Sequence, residues 1–111
     1  MIEFHISEVD QVTLIEASGR IDSMNAEELR EALNEEIGRG AKNVVLDLSN
    51  VSYMSSAGLR ELVAAYRKLQ EVSGDLRLAQ PSSRVLDVLE MSGLDTIFQI
   101  FHTQTGAVGS F

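Results

Sequence analysis

Ser55 and Ser56 stand side by side ahead of Ala57, Gly58 and Leu59, where a polar loop gives way to a helical pattern. Hydroxyls in that place have two uses. A serine at a helix start accepts a hydrogen bond from a first-turn amide and caps the helix. The same helix start presents unpaired amides and the positive end of the macrodipole, which tolerate an added phosphate. Ala57 and Gly58 are small and leave the hydroxyl open to another protein's active site. Cap and phosphate acceptor therefore both fit these residues.

Other chemistries find no residues to run on. A nucleophile elbow needs glycine two positions before and two after the serine. Ser56 has Gly58 after it but Met54 before it. Gly38-Arg39-Gly40 resembles the start of a dinucleotide loop, but Asn43 takes the place of the third glycine and the run follows a helix instead of a strand. No Gly-x-x-x-x-Gly-Lys-Ser/Thr run exists to cradle a phosphate. The two histidines, His5 and His102, lack a second ligand at metal spacing, and there is no cysteine. The expectation is a protein without catalytic residues, metal or cofactor.

Charge narrows the partners. Seventeen acids against nine bases give a net charge of −8. Such a surface repels phosphate backbones, so direct nucleic-acid binding is not expected. No apolar stretch approaches the ~20 residues needed to span a bilayer, and the first ten residues lack a basic and an apolar segment of a secretory signal. A cytoplasmic protein without membrane insertion is expected. The acidic run from Glu27 to Glu36 reads as a solvated helix face, or as a docking face for a basic partner.

These residues need elements to hold them. Residues 1–6 and 12–17 alternate apolar and polar side chains around a polar turn, which predicts an antiparallel hairpin. Ser18-Gly19-Arg20 breaks the alternation. Residues 25–38 have helical period, with Leu29, Leu33 and Ile37 inward and Asn25 with Glu28 placed as a capping box. The apolar run 43–48 predicts a strand covered on both faces; Ser49-Asn50 is a polar break before a short 51–54 segment. A second helix follows over 56–72, a short strand over 76–79, a third helix from Pro81-Ser82-Ser83 to Gly93, and a last strand over 96–101. The fold class is α/β: one mixed sheet that opens with the antiparallel hairpin and continues as parallel β-α units, with helices packed on it. A single domain over 1–111 is expected, its core at about 2–101, with 102–111 a weakly structured tail. Phe101 and Phe111 leave the chain a monomer or weak dimer.

Four blocks, taken in order, carry a resemblance: Ser18-Gly19-Arg20-Ile21-Asp22 with Ala26 following, Val44-Val45-Leu46-Asp47-Leu48-Ser49, Val51-Ser52-Tyr53-Met54-Ser55-Ser56-Ala57-Gly58-Leu59, and Met91-Ser92-Gly93-Leu94. Together they resemble the STAS domain of bacterial anti-sigma factor antagonists. The resemblance spans nearly the whole chain and implies the same mixed sheet. It implies that the unphosphorylated chain binds an anti-sigma factor that is also a GHKL-type serine kinase, which frees the sigma factor. Phosphorylation would break that complex and a PP2C-type phosphatase would restore it. By motif position the acceptor is Ser56, with Ser55 a minor alternative. The docking surface would comprise Asp22, Ser23, Met54, Ser55, Ser56, Ala57, Gly58 and Arg60. Many phosphorylated members have an aspartate where this chain has Ser55, and a second hydroxyl residue where it has Ala57. The resemblance also covers STAS modules that are not phosphorylated, such as an accessory subunit of a lipid-transport ABC complex.

Overall fold

Alternating side chains make the opening a hairpin. The computed structural model describes residues 2–111, and in it β1 (Ile2–Val9) runs antiparallel to β2 (Val12–Ile21). Asp10 and Gln11 close the turn, both at positive φ (50° and 68°), as a two-residue hairpin loop requires. Three parallel pairings follow. β2 pairs with β3 (Asn43–Met54) across α1 (Ala26–Gly38), and β3 with β4 (Asp75–Ala79) across α2 (Ser56–Glu71). β4 pairs with β5 (Ile100–Phe101) across α3 (Ser83–Met91). The sheet order is β1-β2-β3-β4-β5, the mixed sheet that the sequence predicts.

The main core lies between this sheet and the first three helices. Leu29 and Leu33 of α1, Leu62 and Leu69 of α2, and Val85 and Leu89 of α3 are buried with Ile15, Leu46, Leu48, Leu76 and Leu78 of the strands. Each aliphatic side chain so buried stabilises the fold by about 1.5–3 kcal/mol before the entropy of ordering is counted.

The structure differs from expectation in three ways. Ser18-Gly19-Arg20 and Ser49-Asn50 do not end strands: β2 and β3 run through them with register shifts between Glu16 and Ser18 and between Gly19 and Arg20. Gly19 takes φ 110° there. Residues that break a two-residue period can mark a bulge as well as a strand end. The last strand is only Ile100–Phe101, because Gly93 (φ 77°) leads into a 3-10 turn at Leu94–Thr96. Phe98 then turns into the core, its ring 5.3 Å from that of Tyr66.

The third difference is the chain end, where α4 (Gln104–Gly109) stands in place of a weakly structured tail. Ala107 and Val108 are buried on the far face of the sheet with Val12, Leu14, Val45 and Ala79. Arg77 donates to the Ser110 carbonyl (2.7 Å) and hydroxyl (2.8 Å), and its guanidinium stacks 3.9 Å from the centre of the Phe111 ring. Gln104 donates to both Glu16 (3.2 Å) and Asp47 (2.8 Å), the latter buried. Local propensity here is poor, but a helix this short is held by tertiary contacts and not by its own residues.

Candidate functional site

The site assembles where β2 and β3 end together. Ile21 pairs with Met54 in the parallel register, and both are fully buried. The Ser55 amide then donates to the Ile21 carbonyl (2.9 Å) as the last rung. One residue past that rung, Asp22 leads the turn into α1, while Ser55 and Ser56 lead into α2. Residues more than thirty positions apart in sequence thus share one edge of the sheet.

Asp22 is held from several sides. Its Oδ1 accepts from the Met24 amide (2.9 Å), and its carbonyl accepts from the Ala26 amide (2.9 Å). Its Oδ2 faces the Arg20 Nε at 3.4 Å, and the Arg20 guanidinium lies 4.3 Å from the centre of the Tyr53 ring. An exposed ion pair of this kind contributes little stability, about 0–1 kcal/mol. Its effect is to fix where a partly exposed carboxylate points. Asn25 does not cap α1 as its position predicts. Its Oδ1 accepts from the Asp22 amide (2.9 Å) and its Nδ2 donates to the Arg20 carbonyl (2.7 Å), so the side chain ties the turn instead.

The start of α2 is shaped by Gly58. A Cβ at that position would lie 2.8 Å from Ile21 Cγ2 and from Met54 Cγ. The first turn therefore rests directly on the core. Ser55 occupies the N-cap position with extended backbone (φ −85°, ψ 173°), yet its side chain accepts no hydrogen bond from the helix. The Ser55 Oγ is buried without any partner. Capping by Ser55, one of the two readings of this serine pair, is thus not realised. Ser56 is the first helical residue and is exposed, as is Arg60 one turn further on.

The expected docking residues fall into two groups. Asp22, Ser23, Ser56, Ala57 and Arg60 are at least partly exposed around this edge, whereas Met54, Gly58 and the Ser55 hydroxyl are buried beneath it. Met54 and Gly58 shape the surface from below and offer no side chain to a partner. Two residues missed by the sequence reading belong beside the site. Arg20 anchors Asp22, and the available signal was an opposite charge two positions before a carboxylate at a strand's end. Met24 follows Asp22 in the turn and is 90% exposed, a large apolar side chain left in water. Among the described residues, no three carboxylate or histidine side chains come together as a metal site, and no helix is long and apolar enough to cross a membrane.

Comparison with known proteins decides the family. The STAS domain family matches residues 3–107. The chain belongs to the STAS family. Its relatives among STAS proteins include an anti-sigma-B factor antagonist of Listeria monocytogenes, 35% identical over 101 residues that cover 89% of this chain and 86% of that one. BtrV of Bordetella bronchiseptica, assigned as an anti-sigma factor antagonist, is 33% identical over 106 residues, 96% of this chain and 91% of that one. Among solved STAS structures, an anti-sigma factor antagonist from Mycobacterium paratuberculosis superposes with a TM-score of 0.91 at 27% identity, covering 99% of this chain and 93% of that one. These relatives are named as antagonists of anti-sigma factors.

Proposed function

We propose that this STAS domain is an anti-sigma factor antagonist switched by phosphorylation of Ser56. Unphosphorylated, it binds an anti-sigma factor that is itself a GHKL-type serine kinase and thereby frees the sigma factor. The observation that carries the reading is the exposed Ser56 hydroxyl-bearing residue at a helix start that no side chain caps, one strand rung from the anchored Asp22. In the modification the Ser56 Oγ attacks the γ-phosphorus of ATP, the bond to the bridging oxygen of ADP breaks, and the hydroxyl proton passes to a base of the kinase. A PP2C-type phosphatase reverses the state by hydrolysis. Ser55 is a poor acceptor, because its hydroxyl is buried. Asp22, Ser23, Ala57 and Arg60 form the rest of the contact surface.

The phosphate acts through charge and desolvation. A near-dianion pressed into a close interface without a cation is costly, and even about 3 kcal/mol weakens binding more than a hundredfold. At the helix start of the free chain the same phosphate meets unpaired amides and is tolerated. The test immobilises the wild type, Ser56→Ala and Ser56→Glu, passes native lysate over each with ADP present, and identifies the retained proteins. Retention of a GHKL-type kinase by the wild type and Ser56→Ala, but not by Ser56→Glu, is expected. Retention of the same transport subunits by all three would replace the switch with a scaffold.

A further inference from the structure

A groove of about 470 Å³ runs along α2 from Ser56. Its α2 wall is Ser56, Leu59, Arg60, Val63, Ala64 and Arg67, a stripe at three- and four-residue spacing on one side of the helix. Ser92 and Leu94, past the end of α3, form the opposite wall. Apolar atoms make most of the surface, and the cations stand one and three turns in from Ser56.

The charge of this groove is opposite to that of the chain around it. Of 17 acids in the sequence, none lines it. Arg20, Arg30, Arg39 and Arg77 each have a carboxylate within ion-pair distance. Among the described residues, Arg60 and Arg67 have none. An unpaired guanidinium pair flanking an apolar strip is complementary to a helix with two carboxylates on the same face as its aliphatic residues.

We propose that this groove docks an acidic, apolar-faced helix of the anti-sigma partner, with Arg60 and Arg67 each taking a carboxylate. The partner's identity rests on the function proposed above; the chemistry of the groove does not. The two arginines lie seven positions apart, about 10 Å along the helix axis. The occupant therefore carries its acids seven positions apart, with leucine-like side chains between them facing Val63 and Leu94. A second copy of this chain also has an acidic helix, α1, but two chains of net charge −8 repel as they approach.

The experiment titrates the isotope-labelled full chain with a synthetic capped helical peptide bearing two glutamates seven apart and leucines three and four positions after the first. Proton–nitrogen correlation spectra should show saturable shifts confined to Ser56, Leu59, Arg60, Val63, Arg67 and Leu94. Replacing the glutamates by glutamine, or making Arg60→Ala with Arg67→Ala, should weaken binding at least about tenfold, as loss of charge-assisted contacts does. No saturable shift at millimolar peptide, shifts elsewhere on the surface, or equal affinity of the double variant would overturn the docking site. Concentration-dependent dimerisation abolished by the double variant would instead assign the groove to a second copy. The titration contains neither kinase nor phosphate, so it reads the groove alone. Failure of the phosphorylation switch in the lysate experiment therefore leaves this result standing, and the converse also holds.

Discussion

Ser55 and Ser82 are the same residue type in the same place, each at the N-cap of a helix with extended backbone, and the molecule treats them oppositely. Ser82 accepts from the Val85 amide (3.4 Å) and donates to the Val51 carbonyl (3.0 Å), which ties α3 to β3. Thr103 caps α4 in the same manner through the Gly106 amide (2.9 Å). The Ser55 hydroxyl accepts nothing and donates nothing, and α2 begins without a side-chain cap. A capped start is a stability device. An uncapped start on the longest helix, next to an exposed serine, leaves amides available for something outside the native fold. All three positions follow the C-terminal ends of parallel strands, so the contrast lies between neighbouring helix starts at one end of the sheet.

The sharpest way to break the contrast is to disturb what holds the open start in place. Gly58→Val should cost about 3 kcal/mol in urea denaturation, since overpacking against Ile21 and Met54 exceeds the helix propensity gained over glycine. Stability equal to the wild type would mean that α2 does not rest on the core there. Next in size is Ser82→Ala, expected to cost about 1–2 kcal/mol through loss of the cap and of the bond to Val51. The smallest effect sharpens the comparison most. Ser55→Ala removes no native hydrogen bond and should change stability by at most about 0.5 kcal/mol, with a slight gain possible because a buried hydroxyl without a partner is unfavourable. A loss as large as that of Ser82→Ala would show that Ser55 caps α2 in solution.

Much of this was legible beforehand, and the exceptions share a cause. Element types and their order follow from period alone, because the stripes of α1 to α3 and the apolar run of β3 have one consistent reading each. Arg20 escaped notice because Ser18-Gly19-Arg20 breaks the alternation, and a bulge and a strand end look alike locally. α4 escaped because Ala107 and Val108 become apolar anchors only once Val12, Leu14, Val45 and Ala79 are gathered on one face of the sheet. At the site, the hydroxyl pair and its place before α2 could be read directly. That Met54 and Gly58 lie beneath the surface and not on it needed the third dimension. The idle hydroxyl of Ser55 could not be read either, since serine at a helix start is the usual signature of a cap.

The single hydrogen bond from the Ser55 amide to the Ile21 carbonyl has a consequence in time as well as in space. The hairpin can zip locally, but this rung closes only after the chain has travelled through α1 and along all of β3, a contact of long sequence separation and hence slow to form. Until it closes, Asp22 and Ser56 belong to unrelated stretches of polypeptide. A chain in which β2 and β3 have not paired accordingly cannot bring the two residues to one edge. Juxtaposition of Asp22 and Ser56 then reports that β2 and β3 have paired along their full length.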